Sequence, residues 1–170
     1  MRALVLIASL LAAPLAADCK TAAGNLLAGG NCGFDQNLAG WSVVPEGKLS
    51  RDAAEQGAMK VTGDPGGSLT LEGPCVAVKG GAEVRVSARL RLAAGSAYFC
   101  SVLSFEHADP ACEGPGGPLA AAAAPPSPKW QEVSGSAKTQ PATRAVELRP
   151  VCSGEPGFEV LFDDFVLQAN

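Results

Sequence analysis

Apolar and polar residues alternate along most of this chain. From Glu83 to Leu92 the positions Val84, Val86, Ala88, Leu90 and Leu92 fall on one side. Glu83, Arg85, Ser87, Arg89 and Arg91 fall on the other, which is the period of a half-buried strand. Shorter segments of the same kind follow one another at close spacing: Asn25 to Leu27, Gly33 to Asp35, Gly40 to Val44, Ala58 to Thr62, Ser68 to Glu72 and Cys75 to Val78. Ala97 to Phe105, Trp130 to Ser136, Arg144 to Cys152 and Phe158 to Leu167 complete the set. Gly, Pro and Asp clusters separate them, as at Gly63-Asp64-Pro65-Gly66-Gly67 and Lys79-Gly80-Gly81. No segment carries a helical period, so the pattern predicts an all-β antiparallel sandwich or barrel. Gly114 to Lys129, with its run of alanines between prolines, leaves room for barely one helical turn and reads as an extended, mobile loop.

The chain opens differently. Met1-Arg2 is followed by an apolar run from Ala3 to Leu15 and by small residues Ala16 and Ala17, the pattern of an export signal. The expected organisation is therefore a signal peptide over 1–17 and one domain over 18–170. Leu15-Ala16-Ala17-Asp18-Cys19 resembles a lipidation box, but Asp18 stands where a small residue belongs, so a secreted or periplasmic soluble chain is expected. All six cysteines follow the signal, as fits disulfides in an oxidising compartment, and none has C-x-x-C spacing. Without Arg2 there are 12 basic and 17 acidic residues, a net charge of −5. That balance argues against nucleic acid or anionic lipid as a partner. No second apolar run is long enough to insert in a membrane.

Catalytic signatures are weak. The one histidine, His107, lies near Ser104 and Asp109, but residues so close at a strand end do not converge as a triad, and there is no G-x-S-x-G. Asp163 and Asp164 adjoin one another in an apolar strand, where alternation sends their side chains to opposite faces and not across a cleft. Two carboxylates there need compensation, and a cation is the simplest source. No enzymatic activity is expected.

Three fragments carry a resemblance. Asn31-Cys32-Gly33-Phe34-Asp35, then Gly40-Trp41, and the closing Phe162-Asp163-Asp164 resemble the jelly-roll carbohydrate-binding modules of the cellulose- and xylan-binding type, which have a galactose-binding-domain-like fold. Trp130-Gln131-Glu132-Val133 adds to the match. The resemblance implies a jelly-roll sandwich with its first strand beside its last, and a non-catalytic module that binds carbohydrate on its concave sheet. It also implies a structural calcium held by the Gly33 carbonyl, Asp35 and Asp163, with further carbonyls from the Arg51 to Gly57 loop. Asp35 stands where Glu is common and Cys32 where Gly is common.

A shortage of aromatic rings, with both Trp at positions that are usually core, keeps a second reading open: a structural or adhesive protein-interaction domain. If Cys100 bonds Cys152, Tyr98, Val102, Val146 and Leu148 face inward. Phe99, Phe105 and Arg149 then face outward beside Arg85, Arg89 and Arg91 of the neighbouring strand. That face suits an acidic sugar or an acidic protein segment. A one-residue slip would reverse it. The chain is expected to be monomeric. Cys100–Cys152 follows if their strands are antiparallel neighbours. Related modules imply Cys75–Cys112, which leaves Cys19–Cys32. Cys100–Cys112 with Cys75–Cys152 is the alternative.

Overall fold

The computed structural model describes residues 19–28, 31–44, 47–55 and 57–170. The expected export signal over 1–17 lies outside the described residues. Among them the strands, in chain order, are β1 (Ser42–Val44), β2 (Lys48–Arg51), β3 (Met59–Thr62), β4 (Ser68–Glu72), β5 (Cys75–Ala77), β6 (Glu83–Ala94), β7 (Ala97–His107), β8 (Gly117–Ala124), β9 (Gln131–Lys138), β10 (Ala145–Gly154) and β11 (Glu159–Ala169). They form an antiparallel β-sandwich. Its front sheet has the order β1-β4-β10-β7-β8, with β5 also paired to β10. Its back sheet has the order β2-β3-β11-β6-β9. No helix among the described residues is long and apolar enough to cross a membrane.

Alternation assigns the core. In β6 the even positions Val84, Val86, Ala88 and Leu90 are buried, as the pattern predicts. In β7 and β10 the even positions Cys100, Val102, Ser104, Val146, Leu148 and Cys152 face them from the other sheet. Tyr98, expected inside, is 63% exposed because the β7–β10 register shifts there: Ser153 pairs with Phe99 and Gly154 with Ala97, so Tyr98 is the extra residue of a bulge.

The motifs of the first segment meet the last strand. Phe34, Trp41 and Phe165 form a buried aromatic cluster, with centroids 5.6 Å apart for Phe34–Trp41 and 4.5 Å for Trp41–Phe165. Edge-to-face geometry of this kind adds to simple burial. The buried Asn25 amide donates to the carbonyls of Cys19 and Phe165, and its oxygen accepts from Leu167 and Leu27. Those bonds fasten residues 19–28 along β11 by turns and not by the expected strand. The disulfides are Cys19–Cys32, Cys75–Cys112 and Cys100–Cys152. Cys100 and Cys152 are direct cross-strand partners of β7 and β10.

Two further features of the architecture differ from what the pattern predicts. The alanine-rich segment is not a loop over its whole length: Gly117–Ala124 is β8, paired with β7 through Cys100↔Ala124 to Glu106↔Gly117. Its residues are small because the open edges of the two sheets nearly touch there. A Cβ at Gly135 of β9 would lie 2.1 Å from the Ala121 carbonyl oxygen. The second difference is topological. β6 and β7 are consecutive in the chain but lie in opposite sheets, so they are not hydrogen-bonded neighbours.

The crossing between them turns on Gly95, whose φ is +72° and where a Cβ would lie 3.0 Å from Phe158 Cα. Replacing Phe158 with Ala is expected to lower stability by about 3–5 kcal/mol, the usual loss for a buried Phe. Denaturant unfolding measures it, and a loss below about 1 kcal/mol, the scale of an ordinary surface change, would contradict the packing.

Candidate binding faces and cation junction

On the front sheet, β7 turns Phe99, Leu103 and Phe105 outward, and the facing positions of β10 turn out Glu147 and Arg149. Phe99 is 45% exposed. The Arg149 guanidinium lies over the Phe105 ring, 4.6 Å from its centroid. Arg149 Nη2 donates to Glu147 Oε2 at 2.8 Å. Glu147 is only 7% exposed and also faces His107, whose Nε2 is 3.3 Å from the same oxygen. A cleft of about 620 Å³ adjoins this group, lined by Trp41, Ser42, Glu72, Glu147, Arg149 and the Cys112 loop, among others. The Cys75–Cys112 bond ties that loop to β5. The alternation was legible in the sequence. The cleft was not, because Glu72 and the Cys112 loop come to it from distant parts of the chain.

Arg85, Arg89 and Arg91 do not join this face. β6 belongs to the back sheet, and its outward side is the opposite surface of the molecule. The expected composite of three arginines with Phe99, Phe105 and Arg149 is therefore two separate faces. The reading of an acidic ligand drew on the composite and does not attach to the front sheet, where Glu72 and Glu147 outnumber Arg149. Trp130 also departs from expectation: it is on the outer face of the back sheet, not in the core. The guanidinium carbons of Arg89 and Arg91 lie 4.9 Å and 5.6 Å from its ring centroid.

Ser104, His107 and Asp109 have separate tasks. The Ser104 hydroxyl is bound to the main chain of Ala120, and Asp109 caps its own turn at Ala111 and Glu113.

At the junction of first segment and last strand, Asp35 and Asp163 converge on Gly33. A Cβ there would lie 3.8 Å from Asp163 Oδ1 and 3.9 Å from Asp35 Oδ2. A register shift between Asp163 and Val166, with Asp164 at φ +50°, makes a bulge in β11. Asp163 pairs across from Arg89, and Asp164 Oδ2 accepts from Arg89 Nη1 at 3.0 Å, so both carboxylates lie on the outer side. The bulge thus overrides the strict alternation that would have sent them to opposite faces. Burial, the neighbouring Asp164 carboxylate and, more weakly, Asp35 push the Asp163 carboxyl up to about 6, against the opposing pull of the Asp164 amide that donates to it and of Arg89.

This arrangement fits a hard cation: two converging carboxylates, one of them half-buried and without full charge compensation. Residues Gly33, Asp35 and Asp163 are the ones that would hold it. Two cations of the chain stand close by. Lys20 pairs with Asp35, and Arg51 donates to the carbonyls of Phe34 and Asp35.

A carboxyl whose folded pKa is raised from 3.8 to about 6 favours the proton-bound folded state, so its contribution to stability is full at low pH and is lost as pH rises through 6. In chelator, Asp163→Asn is therefore expected to melt above the parent at neutral pH, with the gap closing toward pH 4, near the unfolded value. A gap that stays constant across that range would refute the assignment.

Neither a protein-family model nor a curated protein sequence matches the chain. Solved structures do. The chain is similar to the CBM22-1–GH10 modules of Clostridium thermocellum xylanase 10B complexed with xylohexaose, with TM-score 0.59 and 18% identity over 81% of this chain. It spans only 27% of that xylanase chain. The CBM22-2 xylan-binding domain from Paenibacillus barcinonensis Xyn10C gives TM-score 0.57 at 13% identity, covering 82% of this chain and 98% of that one. TmCBM61 in complex with β-1,4-galactotriose gives 0.58 at 17%, covering 86% and 99%. At these identities the likeness is one of fold, and the fold of this chain is the jelly-roll β-sandwich of those carbohydrate-binding modules.

Proposed function

We propose that this chain is an exported, non-catalytic module that binds carbohydrate on the outer face of its front sheet. The observation that carries the reading is the Phe105–Arg149–Glu147 group beside the cleft. Sugar recognition needs an apolar ring to cover a pyranose face and fixed polar groups for its hydroxyls. Phe105 supplies the ring. Arg149 is oriented twice, by the ring and by Glu147, so little rotamer freedom is lost on binding. Phe99 lies six residues further along β7, on the same side, so the apolar positions form a line along one strand. A line suits a chain of sugars lying along the strand, with the cleft at its side, better than a single one. An exposed aromatic on this sheet is also what separates sugar binding from a flat protein-docking patch, and Phe99 meets that condition.

The proposal includes calcium at Gly33, Asp35 and Asp163. The ion would neutralise Asp163 and tie the first segment to β11, and it would displace the Lys20 ammonium from Asp35. The three disulfides and the expected signal both accord with an oxidising, extracytoplasmic location.

A glycan array probed with the oxidised mature chain tests the function. Binding to at least one polysaccharide is expected, and Phe105→Ala or Arg149→Ala should weaken it by about tenfold or more, the effect of losing a stacked or charge-assisted contact. An array without signal, or a hit indifferent to both variants, would refute the assigned face. Chelator should lower the melting temperature and added calcium restore it, since a ligand bound only by the folded chain stabilises it. An unchanged melt would remove calcium from the proposal.

A further inference from the structure

The outer face of the back sheet carries a second constellation that the front-sheet reading does not use. β6 sets Arg85, Ser87, Arg89 and Arg91 in one row. Arg89 is neutralised by Asp164, and Arg91 Nη2 donates to Glu55 Oε1 at 2.6 Å. Glu55 also accepts from the Trp130 indole Nε1 at 3.4 Å, so one carboxylate orients both the ring and an arginine above it. Arg85 differs from its neighbours. It is exposed and makes no ion pair with any described residue. Next to it is a cavity of about 170 Å³ walled by Arg85, Ser87, Arg89, Glu132, Asp164 and Gln168. Gln168 is held in place by its bond to the Ala23 carbonyl, 2.6 Å.

The charges of this cavity select a ligand. Arg89 and Asp164 satisfy each other, which leaves the Arg85 fork and the exposed Glu132 carboxylate. A polyanion would meet Glu132 and Asp164 and be repelled. A neutral sugar would leave Arg85 without a partner. A ligand with one carboxylate and several hydroxyls matches both: the carboxylate pairs with the guanidinium, and the hydroxyls donate to Glu132 and exchange with Ser87. Trp130 does not line the cavity and carries the Arg89 and Arg91 guanidiniums over its ring, so its indole senses a ligand through Arg89, which does line it. We propose that this face is a second saccharide site, for a pyranose bearing a single carboxylate, with Arg85 as the carboxylate anchor.

The site is independent of the front sheet, and the test separates them. Glucuronate and galacturonate, their neutral parents glucose and galactose, and acetate are titrated into the oxidised mature chain while backbone and indole NMR signals are followed. A saturable shift of the Trp130 indole and the Gln168 side-chain amide with a uronate is expected, and not with its neutral parent or with acetate. Arg85→Ala should weaken that response about tenfold, as loss of one charge-assisted contact does, while Arg149→Ala leaves it unchanged. Arg85 is exposed and unpaired, so its replacement leaves the fold intact, and Arg85→Lys should recover only part of the affinity. No saturable shift with either uronate, an equal response to acetate, or a response confined to the front sheet would overturn the proposal. Uronate shifts at Trp130 in a chain that fails the glycan array would uphold it and refute the front-sheet reading alone.

Discussion

The crossing between the two sheets depends on one packing site, Phe158, whose ring lies against Gly63 and Gly154 and whose backbone lies against Gly95. A Cβ at Gly63 would lie 2.5 Å from Phe158 Cε1, and one at Gly154 would lie 2.8 Å from Cδ1. Each glycine belongs to a different approach of the chain to this end of the sandwich. Around the ring, Gly63 donates to the Phe158 carbonyl and Glu155 donates to the Ser96 carbonyl. The chain leaves β6 at Gly95, passes the ring, and enters β7 in the other sheet. A side chain larger than hydrogen would displace the ring at Gly63 and backbone at Gly95 and Gly154, so the crossing and the ring depend on each other.

That crossing gives the molecule two unlike outer surfaces. The front carries phenylalanines, one ring-stacked arginine and a surplus of carboxylates along a cleft. The back carries the arginine row, Trp130 and Glu55. Strand alternation treats both sheets alike, because inward positions face the shared core and outward positions face solvent. What distinguishes them electrostatically is the company each strand keeps. Arg149 stands next to Glu147 on its own strand, whereas Arg89 stands opposite Asp163 and Asp164 of β11.

The β11 bulge does similar work at the junction of first and last segments. One extra residue in the strand lets Asp163 turn toward Asp35 while Asp164 reaches Arg89 and the Cys19 amide. Phe165 still returns to the core, where it meets Trp41 and Phe34. The acid pair therefore links surface electrostatics to the aromatic cluster that holds the first segment down. A compensating charge on the outside and apolar packing on the inside act on the same few residues.

The sequence by itself determined an all-β antiparallel class, because two-residue alternation with Gly and Pro punctuation admits a sandwich or a barrel and little else, and the resemblance of its motifs chose the jelly-roll sandwich. The even face of β6 follows from local parity; in β7 and β10 parity groups Cys100 with Val102 and Phe99 with Phe105, and the Cys100–Cys152 bond says which group turns inward. β8 escaped notice because a run of alanines has no polar alternation to read, and its reason for being small, the nearby Gly135, is distant in sequence. The bulge was equally hidden, since nothing in Asp-Asp says which residue is the extra one. Tertiary structure alone decided that β6 and β7 part company at Gly95, that Trp130 faces outward, and that Arg85, Arg89 and Arg91 lie across the molecule from Arg149. Parity is a property of one strand, whereas a face is made by strands that long-range packing sets side by side.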